Sequence, residues 1–299
     1  MYYSKLLFIV LLISACTKSA DMVGQVSFTE SFSVNDGPID LSVSTFDGLI
    51  EVGVGTPSEV KVEFFVKRKG QMTKINRKQL EDLIGLEITQ EGNVISVHAT
   101  NPDKKTKISV SMVVTTPQHT STNLATSKGN VVVSNLIGKQ HISSTGGGVN
   151  MENIEGNIIA YTSDGNIEGR GLTGDFTFSA SKGDVKLRKV NGNINNSVAH
   201  GDVNMTGVTG SVNTSVSSGA ISIDLLEASG PINLSCSNGD IKLNVPETQG
   251  YDLNLSASEV MITELDFSGD QNKKRANGKL SGGGYAIDCH VSGGQVSVY

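Results

Sequence analysis

The strongest constraint on the fold is a glycine that returns every 18 residues through the middle of the chain. These glycines are Gly129, Gly147, Gly165, Gly183, Gly201 and Gly219. A second series lies midway between them, at Gly138, Gly156, Gly174, Gly192 and Gly210, and after small insertions the pattern continues at Gly230 and Gly239. A fixed period of this length is typical of a solenoid, in which each repeat forms one coil and packs only against its neighbours.

Each repeat contains two stretches in which apolar residues alternate with polar ones. Val185 and Leu187 mark the first stretch of one repeat, and Phe176 and Phe178 mark the second stretch of another. Apolar side chains two residues apart lie on one face of a β-strand and do not fit a helix. The sequence therefore predicts an all-β fold: a single-stranded parallel β-helix with about 18 residues per coil. The chain would run strand, turn, strand, turn, and stacked coils would align like residues about 4.8 Å apart.

Polar residues flank the turn glycines. Those that follow directly are Asn130, Asn166, Asp184, Asp202 and Asp240, and those that precede by two positions include Ser163, Ser181 and Ser217. Asn, Asp and Ser at such places commonly satisfy backbone groups of the turn. We therefore interpret these residues as architectural, with an exposed binding ladder as the alternative.

The regular array occupies residues 121–299, with a polar insertion near residues 266–282. Residues 26–120 form a less regular β segment that we expect to cap the first coil, because an open end would expose unpaired strand edges. Within it, Asn76 is suited to cap a short helix that places Leu80, Leu83 and Ile84 on one face. Leu253 and Leu255 read as the penultimate coil, and Ile287 and Cys289 as the last.

The N-terminus has the layout of a secretory signal. Lys5 is followed by an apolar run from Leu6 to Ile13 and then by Ser14-Ala15-Cys16. This run is too short for a transmembrane helix, which needs roughly 20 residues. Residues 13–16 resemble a bacterial lipobox, which implies that residues 1–15 are a signal peptide and that Cys16 is diacylated. The alternative is an ordinary signal peptide with a chance cysteine at its end.

Residues 16–25 would then form a lipidated tether, and the protein would be anchored to the membrane of the cell envelope. The residue after the lipidated cysteine is Thr17. By the same resemblance, a threonine there favours the outer membrane over the inner membrane in a Gram-negative cell.

The repeats also carry a family resemblance. The pattern Ser-x-Gly-Asp/Asn-Ile/Val-x-Leu recurs in residues 181–187 and 237–243, and a related stretch closes the chain at residues 292–298. It is similar to a bacterial family of β-strand-repeat proteins named as candidate adhesins, whose function is unknown. The resemblance covers nearly the whole mature chain. It implies a β-solenoid and offers no catalytic residues to carry over.

We expect no metal, cofactor or catalytic residue. A calcium-binding β-roll repeats Gly-Gly-x-Gly-x-Asp and gives each ion six to eight oxygens, whereas here each turn has one glycine followed by Asn or Asp. Asp184 and Asp202, which should stack, are the best place for calcium and also for the paired carboxylates of a polysaccharide-cleaving enzyme. The five histidines show no metal-ligand spacing.

Net charge bears on the kind of partner, and the cysteine content bears on whether the protein contains a disulfide. The net charge is −6 with acidic and basic residues interspersed, which does not indicate a nucleic-acid partner. An oxidising compartment favours a disulfide between Cys236 and Cys289. The predicted order of coils, however, separates them by two coils, roughly 9–10 Å, beyond the roughly 7 Å that a disulfide spans. We therefore predict two buried thiols.

These observations favour a non-enzymatic, lipid-anchored envelope protein that presents its solenoid surface for binding or adhesion. The candidate binding residues are Tyr161, Ser179, Ser197 and Ser215, which face outward from one strand position, and the partner would be a glycan or an envelope protein. One alternative is a structural or signalling accessory that uses the N-terminal segment or the charged stretch Gln271–Arg275. A polysaccharide-active enzyme is the weaker alternative.

Overall fold

The computed structural model describes residues 25–101, 107–263 and 265–299. The predicted signal peptide, Cys16 and almost all of the predicted tether lie outside the described residues. Within the described ranges the chain is all-β, as the alternating pattern predicts, and most of its strands stack in parallel as successive coils. None of the described helices has the length and apolar character to cross a membrane.

The strands of the N-terminal part come first. They are β1 (Phe28–Ser33), β2 (Ile39–Thr45), β3 (Ile50–Val54), β4 (Glu59–Arg68), β5 (Gln71–Met72), β6 (Gly85–Glu91), β7 (Val94–Thr100), β8 (Ile108–Thr116), β9 (Thr120–Lys128) and β10 (Val131–Ser134), with the helix α1 (Arg77–Glu81) between β5 and β6.

The solenoid and its C-terminal end contain the remaining strands. They are β11 (Gln140–Gly146), β12 (Val149–Glu155), β13 (Ile158–Asp164), β14 (Ile167–Lys182), β15 (Val185–His200), β16 (Val203–Ser218), β17 (Ile221–Asn238), β18 (Ile241–Asn244), β19 (Tyr251–Ser256), β20 (Glu259–Ile262), β21 (Phe267–Gln271), β22 (Arg275–Leu280), β23 (Tyr285–Gly293) and β24 (Gln295–Val298).

Two long faces run along the solenoid. The front face contains β2, β9, β11 and β13, followed by the C-terminal halves of β14 to β17. The back face contains β3, β10 and β12, followed by the N-terminal halves of β14 to β17. Partners on neighbouring coils are 18 residues apart, as in Val185 with Val203 and Ile194 with Val212. This register confirms the predicted period.

Each coil also has a short third side that the predicted strand–turn–strand–turn scheme lacks. A residue in the left-handed region bends the chain after the back strand; at successive coils it is Asn135, Asn153, Gly171, Lys189 and Gly207, with φ between 53° and 69°. The following residue turns inward and is buried, as in Leu172 and Val190. Glycine is dispensable at this corner because the left-handed region also admits Asn, so the glycine periodicity does not reveal it.

Glycine is required at the corner that precedes the front face. Gly192 has φ +141°, and a Cβ there would overlap the carbonyl oxygen of Gly174 on the coil before. The coils approach so closely at this point that no side chain fits between them. This close approach explains why the glycine recurs in coil after coil.

The Asn and Asp residues that follow the other corner glycine form a ladder of side chain to backbone hydrogen bonds. Asn166 Oδ1 accepts from the N–H of Asp184 at 2.9 Å, and Asp184 Oδ1 accepts from the N–H of Asp202 at 3.0 Å. Asp202 Oδ1 accepts from Ala220 N at 2.8 Å. The architectural interpretation is confirmed for the Asn and Asp residues that follow this glycine, since each side chain satisfies a backbone donor on the next coil.

The N-terminal segment flanks the first coils with additional strands. On the back face β8 lies parallel to β3, β4 runs antiparallel to β8, and β1 runs antiparallel to β4. On the front face β7 lies parallel to β2 and pairs with β6 in an antiparallel ladder. Helix α1 begins at the predicted cap: Asn76 Oδ1 accepts from Gln79 N, the Gln79 side chain bonds back to Asn76 N, and Leu80 is buried.

The order of the C-terminal coils differs from the prediction. Strand β23 lies between β17 and β19, pairing Leu234 with Cys289 and Cys289 with Leu255. The polar insertion forms the antiparallel hairpin β21–β22. Strand β22 pairs with the edge of β19 that faces away from β23, and the hairpin reverses the direction of the chain. The end of the chain therefore returns and fills the space between two earlier coils. The alternation of apolar and polar residues does not predict the order in which coils stack, because all coils share the same alternation.

The predicted separation of the two cysteines by two coils is wrong. Cys236 pairs with Val291 and Cys289 with Leu234, so the two cysteines lie on neighbouring strands, offset by two residues, and not two coils apart. Both thiols are nevertheless free and buried, as predicted. Burial raises the pKa of Cys289, and Cys236 Sγ donates to the carbonyl oxygen of Gly219 at 3.2 Å.

Candidate functional site

The four residues proposed for binding lie in one column on the outside of the front face. Tyr161 pairs with Ser179, Ser179 with Ser197, and Ser197 with Ser215. Their side chains are exposed or half-buried because they alternate with the inward core positions. The structure thus brings all four together, about 4.8 Å apart along the solenoid axis.

A second column, two residues before the first, was missed by the sequence reasoning. It contains Thr177, Asn195, Asn213, Asn233, Asp288 and Asn254. Asn213 Nδ2 donates to Asn195 Oδ1 at 3.3 Å, and Asn254 Nδ2 donates to Asp288 Oδ1 at 2.8 Å. The available signal was the spacing Asn-x-Ser, which recurs at residues 195–197, 213–215, 233–235 and 254–256.

Together the columns form a flat lattice of amide and hydroxyl groups. An Asn side chain offers two N–H donors and an acceptor oxygen, and a Ser hydroxyl donates and accepts. The amides that bond to one another are held in fixed orientations yet keep unused donors and acceptors toward solvent. Such a surface presents directional hydrogen-bonding groups at regular intervals.

The N-terminal part of the front face is more apolar and concave. A groove of about 490 Å³ lies between Val94 on β7 and Ile159 on β13, and its lining includes the small side chains of Ser42, Ser121 and Asn123. Val94 is 50% exposed and Ile159 37%. Beside it His141 and Tyr161 make an edge-to-face contact with ring centroids 6.0 Å apart. An exposed Tyr joins an apolar ring to a polar hydroxyl, which suits it to a binding surface.

Serine–histidine pairs lie toward the two ends of the serine column. Ser44 Oγ lies 2.8 Å from His98 Nδ1, and Ser256 Oγ lies 2.7 Å from His290 Nδ1. Among the described residues, neither histidine forms an ion pair with a carboxylate that would orient it as a general base. Both pairs therefore read as extensions of the hydrogen-bonding lattice.

Asp184 and Asp202 were the best sequence candidates for calcium or for paired catalytic carboxylates. Their Oδ1 atoms are occupied by backbone N–H groups, and Lys186 Nζ lies 3.2 Å from Asp184 Oδ2. The N–H of Asp202 and the ammonium of Lys186 lower the pKa of Asp184. In the described part of the chain no group of three or more His, Cys, Asp and Glu side chains is placed to hold a metal ion.

Solved structures and one protein family are similar to this chain. A candidate adhesin from Bacteroides fragilis NCTC 9343 is 13% identical over 91% of this chain and 96% of its own, with a TM-score of 0.42. A candidate lipid-binding protein from Parabacteroides distasonis ATCC 8503 is 12% identical over 91% and 96%, with a TM-score of 0.46. No curated protein matches the sequence. The model of the Toastrack DUF4097 family matches residues 39–299, and the chain therefore belongs to that family.

Proposed function

We propose that this protein is a non-enzymatic, lipid-anchored protein of the cell envelope, and that the front face binds a glycan chain. The observation that carries the proposal is the continuous outer lattice of Asn and Ser side chains, which ends in a groove beside Tyr161. A polymer of sugar units presents hydroxyl groups at regular intervals, and a repeating lattice of donors and acceptors can bond to several units at once. Solenoids commonly bind through such extended faces.

The groove gives this face a defined end. A sugar ring has an apolar side that packs against an exposed aromatic ring, and Tyr161, a residue that is 40% exposed, lies beside the groove in contact with His141. The Asn amides further along the face would bond to the hydroxyls of the units that follow. The ligand would therefore lie along the solenoid axis, across several coils.

The binding test compares two matched pairs of substitutions. We expect Asn195→Ala with Asn213→Ala to weaken binding to a glycan on an array of bacterial surface and cell-wall glycans by about tenfold or more, since each lost hydrogen bond is worth roughly 0.5–1.5 kcal/mol. The control, Asn150→Ala with Asn204→Ala, removes two exposed amides from one outward column of the back face and should leave binding unchanged. Absence of saturable binding to any glycan on the array would contradict the proposal.

The anchor is tested separately in cells. If Cys16 is lipidated, metabolic labelling with an alkyne fatty acid should tag the wild-type protein and place it in the membrane fraction. Cys16→Ser should abolish the label and leave only a membrane association that high salt releases, whereas Cys236→Ser should keep the label and a salt-resistant association. We propose the outer membrane as the destination in a Gram-negative cell, and density-gradient separation of the two membranes tests this.

A further inference from the structure

A cavity of about 1250 Å³ lies at the corner between the front and back faces in the first coils. Five basic residues line it, against one described carboxylate, that of Asp47. The basic residues are Lys67, Arg68, Lys69, Lys107 and Lys128. Within the described ranges none of the five forms an ion pair with a carboxylate.

Backbone hydrogen bonds hold these cations together. Lys69 N donates to the carbonyl oxygen of Lys107 at 2.7 Å, which joins the end of β4 to the start of β8. Gly48 N donates to the carbonyl oxygen of Lys128 at 2.6 Å and joins the end of β9 to the same corner. The backbone positions of the basic residues are therefore set by three strand ends of the fold.

A cleft lined by one sign of charge concentrates the opposite charge. Arg and Lys side chains are the usual partners of phosphate groups, with which they form charge-assisted hydrogen bonds. Half-buried Phe46 contributes an apolar wall beside the cations. The cavity therefore suits a phosphate-bearing anion that also carries an apolar part.

The residues directly before β1 indicate where that anion comes from. Strand β1 is antiparallel to β4 and Ser27 N donates to the carbonyl oxygen of Phe64, so residues 25–27 lead toward the end of β4 that carries Lys67. Ser27 Oγ donates to the carbonyl oxygen of Thr73, directly after the β4–β5 hairpin, at 2.9 Å. Residues 17–24 extend to roughly 30 Å at most, at 3.3–3.6 Å per residue. A lipid on Cys16 would hold this corner close to the bilayer.

We propose that the basic cavity binds the phosphate-bearing headgroup of an anionic phospholipid in the membrane that carries the anchor. This inference rests on the lipid anchor of the proposed function. The contact would orient the solenoid on the membrane, with the basic corner against the surface and the front face accessible along its length.

The test uses the mature chain, residues 16–299, with Cys16→Ser and without the signal peptide, so that it cannot be acylated. We expect it to sediment with vesicles of phosphatidylcholine mixed with phosphatidylglycerol and not with vesicles of phosphatidylcholine alone. Adding Arg68→Gln, Lys107→Gln and Lys128→Gln should weaken vesicle binding on the order of 100-fold, given about 1 kcal/mol per basic residue at an anionic surface. These three side chains are exposed, so folding should be preserved, which circular dichroism checks.

A matched control removes the same charge from the other end of the solenoid. Lys242→Gln, Lys273→Gln and Lys274→Gln are exposed positions, and their combination should leave vesicle binding within about twofold. An equal loss in this control would overturn the proposal, because attraction would then depend on net charge alone. Inorganic phosphate or glycerol phosphate that binds the cavity as tightly as the vesicles do would identify a free anion and overturn the lipid assignment. Failure to bind anionic vesicles would overturn the inference while leaving the labelling result on Cys16 intact.

Discussion

Two threonines that point into the solenoid differ in what their hydroxyls contact. Thr162 Oγ1 donates to the carbonyl oxygen of Gly147 at 2.8 Å. Thr214 Oγ1 is buried without a hydrogen-bond partner among the described residues, and so is the amide of Asn196, with which Thr214 is in register. Alternation predicts that both threonines face inward, but the sequence does not reveal which hydroxyl reaches an acceptor. That depends on the distance to the glycine corner.

We therefore expect the isosteric substitution of Thr by Val to change the free energy of unfolding in opposite directions at the two positions. Thr214→Val removes an unsatisfied buried hydroxyl and should raise the free energy of unfolding by about 1 kcal/mol, whereas Thr162→Val breaks a hydrogen bond and should lower it by about 1 kcal/mol. Urea denaturation of the two variants beside the wild type measures both values. Destabilisation by Thr214→Val would show that its hydroxyl bonds to a buried water, which would then bridge it to Asn196.

Among the C-terminal strands, β23 is the one whose place in the stack the sequence pattern does not predict. Its apolar positions Ile287, Cys289 and Val291 repeat the pattern of β17 and β19, so periodicity assigns it to a coil but not to a place in the stack. The hairpin β21–β22 reverses the chain, and the strand that follows it lies between β17 and β19. A local sequence pattern does not predict long-range strand pairing of this kind.

The interior position of β23 predicts slow amide exchange at the C-terminus. Terminal segments usually fray and exchange quickly, but β23 has a paired strand on each side. We expect peptides from residues 285–293 to be as protected as those from residues 232–238, and far more protected than residues 267–271 of β21, which pair on one side with β22. Hydrogen–deuterium exchange with mass spectrometry measures this. Equally fast exchange in β23 and β21 would place β23 at an edge and refute its position between β17 and β19.

At the scale of the whole molecule, the regular coils are interchangeable units joined by nearest-neighbour contacts. Strands β14, β15 and β16 repeat the same register at each step of 18 residues, and their inward positions form one continuous core. The sequence predicts this central part well because every coil repeats the same local constraints. Its two ends are predicted less well, since the flanking strands of β1 to β8 and the return of β23 depend on contacts between distant segments.

This modularity predicts the outcome of lengthening the chain by one coil. A second copy of residues 185–202, inserted after Asp202, supplies each neighbour with the partners it already has, so the protein should fold and lengthen by about 4.8 Å. Small-angle X-ray scattering measures the length, and thermal unfolding should show a transition at the wild-type temperature or above. The matched control inserts only residues 185–193. This half coil moves back-face residues into the front face and misaligns the glycine corners, so cooperative unfolding should be lost. If the half coil were tolerated as well as the full one, the register between coils would not be what holds the solenoid together.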